Sequence, residues 1–137
     1  MGNTKRVALV TGSASGIGSA VAIKLSSEGF NTIVNYSQSA DSASNTAEKC
    51  NAAGSDTLLV QCDVSNETSV ISMLSDIEKK YGRLDVVVNN AGTSISTLAK
   101  DFDKVSEEEF DRVLAVNVKG MFLVAKHSKG LLSEGID

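Results

Sequence analysis

The stretch Val10-Thr11-Gly12-Ser13-Ala14-Ser15-Gly16-Ile17-Gly18 limits what this chain can fold into. It follows the apolar run Val7-Ala8-Leu9-Val10, which reads as a buried strand. It leads into a segment ending at Glu28 in which Ile17, Val21 and Leu25 recur every four residues, as on one face of a helix. Glycines between a strand and a helix let a ligand approach the main chain closely, and the helix start presents unpaired N–H groups at the positive end of its dipole. The segment is therefore predicted to be a phosphate-binding turn. Its spacing, G-x-x-x-G-x-G at Gly12, Gly16 and Gly18, differs from the commonest dinucleotide fingerprint, and no Lys-Ser or Lys-Thr follows to make a P-loop.

Strand and helix signals go on alternating. Gly29 stops the first helix, and Thr32-Ile33-Val34-Asn35 reads as a second strand. Ala43, Ala47 and Cys50 mark a helix closing before Gly54, and Thr57-Leu58-Leu59-Val60 a third strand. Ser65 is the expected cap of the next helix, whose apolar stripe is Val70, Leu74, Ile77 and Tyr81 and which ends at Gly82. Leu84 to Val88 reads as a fourth strand. Strands that are apolar on both faces and alternate with helices predict an α/β fold, a Rossmann-type doubly wound parallel sheet of strand order 3-2-1-4 with right-handed crossovers.

A last helix, about residues 107 to 129, opens with a capping box, Ser106 with Glu109 three residues on. The acidic run Glu107-Glu108-Glu109 complements its dipole. Two apolar faces run along it, Phe110, Val113, Leu114, Met121 and Val124 on the broader one and Val116, Gly120 and Leu123 on the narrower. Such a helix is buried more fully than one lying on a sheet, and a partner subunit in a homo-oligomer is expected to cover the second face. Asn117 shares the broader face, so its amide is expected in the core, either in a functional role or tying backbone groups together. His127, the one histidine, has no ligand-spaced partner and reads as structural or surface.

With 137 residues, 42% of them hydrophobic and 22% charged, the chain suits one domain with a real core. A net charge of -4 without clustered Lys or Arg argues against nucleic acid or an anionic membrane as partner. No apolar run reaches the length of a membrane span, and the N-terminus lacks the apolar core of a signal peptide, so a cytoplasmic location is expected. Cys50 and Cys62 are too few for a zinc cluster or a disulfide framework; both read as reduced, and no metal site is expected.

In a doubly wound sheet the ligand lies beyond the carboxyl ends of the strands, where strand order reverses. The candidates there are Gly12, Ser13, Ser15, Gly16, Ile17 and Gly18 in the glycine turn, Asn35-Tyr36-Ser37, Cys62-Asp63-Val64, and Asn89-Asn90-Ala91-Gly92. A fold preferring NAD usually carries an acid about 20 residues past the glycines to hold the ribose 2′-hydroxyl. That place falls at Asn35-Tyr36 and no acid precedes Asp41, which favours NADP and leaves NAD as the alternative. Lys5, Arg6 or the Ser15 and Ser37 hydroxyls are the groups left to hold a 2′-phosphate. Asp63 either accepts from an adenine amino group or caps the next helix. The Asn-Asn-Ala-Gly segment either lines the site or is only a turn.

Taken together, Thr11-Gly12-x-x-x-Gly16-Ile17-Gly18, Cys62-Asp63-Val64, Asn89-Asn90-Ala91-Gly92 and Asn117-Val118-Lys119-Gly120 resemble the short-chain dehydrogenase/reductase family in order and spacing over essentially the whole chain. Within it the chain is most similar to the NADP-dependent ketoacyl-carrier-protein reductase type, to which Val34-Asn35-Tyr36 adds. The resemblance implies pyrophosphate on the backbone of Gly12 to Gly18, adenine flanked by Asp63 and Val64, and Asn90, Ala91 and Gly92 along the adenosine and nicotinamide-ribose side. It further implies that Asn117 is the Asn of the family's catalytic tetrad, whose backbone positions a water in a proton relay. Many NADP-preferring relatives carry Arg where this chain has Ser15.

The family's catalytic Ser and Tyr-x-x-x-Lys are not matched, since the residues four after Tyr36 and Tyr81 are Ala40 and Asp85. Residues 1–137 are thus expected to be the N-terminal part of the dinucleotide-binding domain of an NAD(P)-dependent oxidoreductase, its C-terminal half absent. Such an enzyme moves hydride between nicotinamide and a small carbonyl or alcohol substrate, and this part of it is expected to be inactive alone. A truncated, non-catalytic nucleotide-binding or interaction module is the alternative. A methyltransferase on a similar sheet would leave the later motifs unexplained.

Overall fold

The structure, a computed structural model, describes residues 5–132. Four parallel strands, β1 (Val7–Val10), β2 (Asn31–Tyr36), β3 (Leu58–Gln61) and β4 (Val86–Val88), form one sheet in the order β3-β2-β1-β4. The helices are α1 (Gly16–Ser27), α2 (Ala40–Ala52), α3 (Glu67–Tyr81), α4 (Glu107–Leu114) and α5 (Gly120–Leu132). A 3-10 segment, Ala99–Lys104, precedes α4, and a π-helical turn, Ala115–Lys119, joins α4 to α5. Fold class and strand order are those that the alternating signals predict. No described helix is long and apolar enough to cross a membrane.

Alternation along the strands divides the interior into two layers. Leu9 and Ile33 pack with Val70, Met73 and Ile77 of α3 and with Leu123 and Val124 of α5. Val10 and Val34 pack with Ala22 of α1 and with Ala43, Ala47 and Cys50 of α2. Each Val, Leu or Ile taken fully out of water contributes roughly 1.5–3 kcal/mol.

Three local expectations are corrected. First, α1 buries Gly18, Ala22 and Ser26, while Val21 and Leu25 are only half-buried and Ile17 is 78% exposed. The start of this helix is folded tightly against the glycine turn, so that only a small residue fits: a Cβ on Gly18 would lie 2.5 Å from the Gly12 carbonyl oxygen and 2.9 Å from Ser13 Cα. Second, Asn66 and not Ser65 caps α3, its Oδ1 accepting the Ser69 N–H at 2.9 Å. Third, β4 starts at Val86 rather than Leu84, because Asp85 turns its carboxylate to the Val7 N–H at 2.8 Å and clasps the start of β1.

The last helix opens at the predicted capping box, with Glu109 N–H on Ser106 Oγ and Ser106 N–H on Glu109 Oε2, both at 3.1 Å. It does not run unbroken, and much of its broader face is exposed. Val116, Gly120 and Leu123 of the narrower face are buried, whereas on the broader face Phe110, Leu114 and Met121 are exposed, Val113 is half-buried and Val124 is buried. Gly120 supplies the reason. A Cβ there would lie 2.6 Å from Val64 Cγ2, so the helix backbone presses on the loop after β3 along this narrow side.

Candidate functional site

Strand register brings the four loops to one end of the sheet. Val10 lies opposite Val34 on one side and Val88 on the other, and Tyr36 lies opposite Gln61. The residues that follow these, Thr11, Asn35, Asn89 and Cys62, therefore cluster at the carboxyl edge.

Side chains then lock the loops together. Thr11 Oγ1 accepts the N–H groups of Asn90 at 3.0 Å and Ala91 at 2.9 Å, and Asn90 Nδ2 donates to the carbonyls of Thr11 at 3.1 Å and Gly12 at 3.0 Å. Asn35 Oδ1 accepts the Gly12 N–H at 3.0 Å, and its Nδ2 donates to the carbonyls of Val60 at 3.3 Å and Cys62 at 3.2 Å. Ser13 Oγ donates to the Val10 carbonyl at 2.7 Å and accepts the Asn35 N–H at 3.1 Å. The polar atoms of Ser13, Asn35 and Asn90 thus hold the frame. Gly12 has φ +61°, and a Cβ there would stand 2.7 Å from Ala91 Cα, so this crossing of two loops requires glycine.

In front of the frame is a crevice of about 350 Å³. Of the predicted residues, Gly12, Asn35, Ser37, Cys62, Asp63, Val64, Asn90, Ala91 and Gly92 line it. Ser15, Gly16 and Ile17 are exposed at the mouth of α1, and Gly18 is buried beneath them. Ser15, at the N-cap position, makes no side-chain capping bond. Gly16 has φ +58°, and a Cβ built on it meets nothing within 4 Å. An open helix start with free first-turn N–H groups and a bare glycine fits a pyrophosphate. Tyr36 is half-buried, its carbonyl accepting the Cys62 N–H at 2.8 Å.

Lys5 and Arg6 do not reach this edge. Lys5 Nζ donates to the Gly54 carbonyl at 2.9 Å, and the Arg6 guanidinium lies 4.3 Å from the Phe30 ring centroid. Both precede β1, about 13 Å of strand away from the glycine turn. The expectation that either grips a 2′-phosphate is corrected.

Asp63 does not cap α3. Its Oδ1 accepts the N–H of Ser65 at 3.0 Å and the Ser65 hydroxyl at 2.7 Å, and its Oδ2 pairs with Arg112 Nη1 at 3.1 Å. Burial pushes this carboxyl upward, but the Ser65 bonds and Arg112 outweigh it and hold the group below the usual carboxylate range. Burial pushes the Cys62 thiol above its ordinary value, a Ser69 hydrogen bond draws it back and the Asp63 charge raises it, so it stays protonated at neutral pH. Tyr81 lies on α3 with its hydroxyl on the Asp56 carbonyl at 2.8 Å. Burial first, then the Asp56 charge, raise its pKa, which makes it a poor proton donor.

Asn117 is half-buried at the π turn rather than in the core. Its Oδ1 accepts the Thr93 N–H at 2.8 Å, and its Nδ2 donates to the Thr93 carbonyl at 2.9 Å. The side chain therefore pins the loop after β4. The turn carrying it has the Gly120 N–H on the Ala115 carbonyl, an i to i+5 bond of the kind found inside helices mostly at functional sites. His127 lies apart from the crevice, 2.8 Å from Glu67 Oε1.

The sequence matches the short chain dehydrogenase family over residues 6–135. The chain belongs to that family. Among its relatives are elsinochrome reductase 1 of Elsinoe fawcettii, 42% identical over 95% of this chain and 48% of that protein, and versicolorin reductase 1 of Aspergillus parasiticus, 38% identical over the same shares. A Burkholderia xenovorans structure assigned to the short-chain dehydrogenases/reductases superposes with a TM-score of 0.94 at 29% identity, over 98% of this chain and 56% of that one. The chain thus spans about half the length of the curated relatives it matches.

Several residues at the site carry no motif signal of their own. Thr11 stands inside the glycine motif, yet its hydroxyl joins two loops far apart in sequence. Gln38, Thr93, Arg112 and Val116 also line the crevice. Arg112 had a signal: it is a lone cation beside four acids, Glu107 to Glu109 and Asp111, five residues before Asn117.

Proposed function

We propose that residues 1–137 form the cofactor-binding part of an NADP-dependent reductase in which hydride passes from the nicotinamide to the carbonyl carbon of a small-molecule ketone. The convergence of the glycine turn, at Gly12, with the loops after β2, β3 and β4 on one crevice carries this reading. In it the main chain from Gly12 to Gly18 holds the pyrophosphate, with Ser15 Oγ free to join. Asp63 and Val64 flank the adenine, and Ala91 and Gly92 line the ribose toward the nicotinamide. Ser13, Asn35 and Asn90 act from behind by holding these loops. The bound dinucleotide supplies the hydride, and the chain supplies orientation and electrostatics.

NADP is favoured over NAD because the end of β2 and the residue after it read Asn35-Tyr36-Ser37, with no carboxylate to repel a 2′-phosphate; the Ser37 and Ser15 hydroxyls are the groups we assign to it. The relatives named for elsinochrome and versicolorin support reduction of a carbonyl; the ketoacyl-carrier-protein type is supported only by the short Val34-Asn35-Tyr36 match. We assign the catalytic Ser and Tyr-x-x-x-Lys to the half of such enzymes that these residues do not match, so residues 1–137 alone bind cofactor without turnover. The exposed face of α4 and α5 is the seat we propose for a second copy. Two buried free thiols, Cys50 and Cys62, suit a reducing compartment, here the cytoplasm.

Titration with NADPH and NADH, followed by nicotinamide fluorescence, tests the reading. Saturable binding with NADPH tighter is expected. No saturable change with either cofactor would overturn it.

A further inference from the structure

We propose that Arg112 is a positioning residue that fixes the Asp63 carboxylate, balances its charge at the adenine end of the crevice, and ties that end to the helix carrying Asn117. The proposal rests on the dinucleotide reading above.

Three contacts close a ring. Arg112 Nη1 donates to Asp63 Oδ2 at 3.1 Å and to Ser65 Oγ at 2.9 Å, and Ser65 Oγ donates to Asp63 Oδ1 at 2.7 Å. The Ser65 N–H adds a second bond to Oδ1 at 3.0 Å. One carboxylate oxygen is therefore held by its own loop and the other by α4. The group cannot rotate without losing a charge-assisted bond.

Charge gives a second reason. Among the described residues lining the crevice, Arg112 is the single cation and Asp63 the single anion. A dinucleotide brings phosphates into the same space, where an unbalanced carboxylate would repel them through a medium less screening than water. The pair is also half-exposed, at 49% and 41% of the two side chains, and such pairs add little to global stability. Its effect is thus expected in ligand affinity and not in the folding equilibrium.

Position gives the third. Arg112 stands in the last turn of α4, and Asn117 in the turn that follows grips Thr93 on the opposite wall. Gly120 rests on Val64 beside Asp63. One helical unit is thereby fastened to the loop after β3 and to the loop after β4, and Arg112 is the polar fastening on the adenine side.

The test compares NADPH with reduced nicotinamide mononucleotide, which lacks the adenosine half, on the full-length protein. Arg112→Gln is expected to weaken NADPH about fivefold, the scale of one exposed ion pair, and to leave the mononucleotide affinity and the thermal midpoint unchanged. Arg112→Lys, which keeps the charge, should recover part of the loss. Asp63→Asn should show the same selectivity for NADPH and should not add to Arg112→Gln; these two variants carry the test if Arg112→Gln does not fold. Unchanged NADPH affinity in Arg112→Gln, or an equal loss for both ligands, overturns the role of Arg112 and leaves the dinucleotide reading standing. A wild-type protein that binds neither ligand overturns both.

Discussion

The side-chain oxygen of Asn35 accepts the Gly12 N–H at 3.0 Å, so the end of β2 holds up the glycine turn from behind. This is the place where a fold preferring NAD carries its acid. Asn35→Asp, the simplest attempt to install one, is therefore expected to damage the protein instead of switching its cofactor. The new oxygen would face the carbonyls of Val60 and Cys62 that Nδ2 now serves, at a residue 1% exposed. A loss of roughly 2–4 kcal/mol follows from a buried, mispaired carboxylate. Chemical denaturation reads it, and an unchanged midpoint would show that the side chain is free to turn outward.

Gly16 and Gly18 should respond to alanine for different reasons. At Gly18 the added methyl meets the Gly12 carbonyl oxygen and the Asn90 amide, and overpacking of this kind costs about 1–3 kcal/mol. At Gly16 nothing is met, so only the left-handed backbone is strained, by about 1–2 kcal/mol, while the methyl occupies the space proposed for phosphate. Gly18→Ala should unfold at lower denaturant, and Gly16→Ala should fold yet bind NADPH poorly. Equal NADPH affinity in Gly16→Ala and wild type would remove phosphate from that place.

Asp85 sets an acid limit on stability. The Arg83 hydrogen bond first, then the Val7 N–H and nearby positive charge, hold its carboxyl below the usual range against the opposing effect of burial. A carboxyl with a lowered folded pKa stabilises the fold above its unfolded pKa, about 4, and loses that contribution as pH falls through the folded value. Asp85→Ala also strands the N–H of Val7, which is 1% exposed, at a cost of roughly 1.5–3 kcal/mol at neutral pH. Denaturation midpoints across acid pH should fall less steeply in Asp85→Asn than in wild type; parallel profiles would assign the acid loss elsewhere.

Leu114, Val118 and Phe122 recur every four residues along one side of α4, the π turn and α5, at 45%, 61% and 61% exposure. This stripe is the face proposed above for a second copy. Val118→Glu with Phe122→Glu should shift the full-length protein to a smaller species in sedimentation velocity. A wild type already monomeric at high concentration would refute the proposed self-association.

Asn117→Ala removes both bonds to Thr93. On the proposed reductase reading, turnover is expected to fall about a hundredfold or more, the scale of a disturbed proton-transfer arrangement, with NADPH affinity nearly kept. A proportionate loss of both would make Asn117 a structural tie alone.

Much of this was legible from residues alone. Alternating apolar runs and helix stripes determine the layers, because burying each stripe leaves few arrangements, and the strand order follows from them. Glycine spacing marked the turn, since its backbone states exclude most other residues. The spacing of Ser106 and Glu109 identified a helix start, because a capping box is local. What could not be read locally depends on distances between segments. Gly18 is buried and Ile17 exposed because the start of α1 packs at Gly18 against the glycine turn and Asn90. Phe110, Leu114 and Met121 on the broad face of the last helix are exposed because Gly120 meets Val64 from the narrow side. Asn35 faces Gly12, and Arg112 faces Asp63, across gaps of 23 and 49 residues. No periodicity records such pairings: they arise when register and close packing bring side chains together, and only the folded chain decides which polar atoms stay open to a ligand.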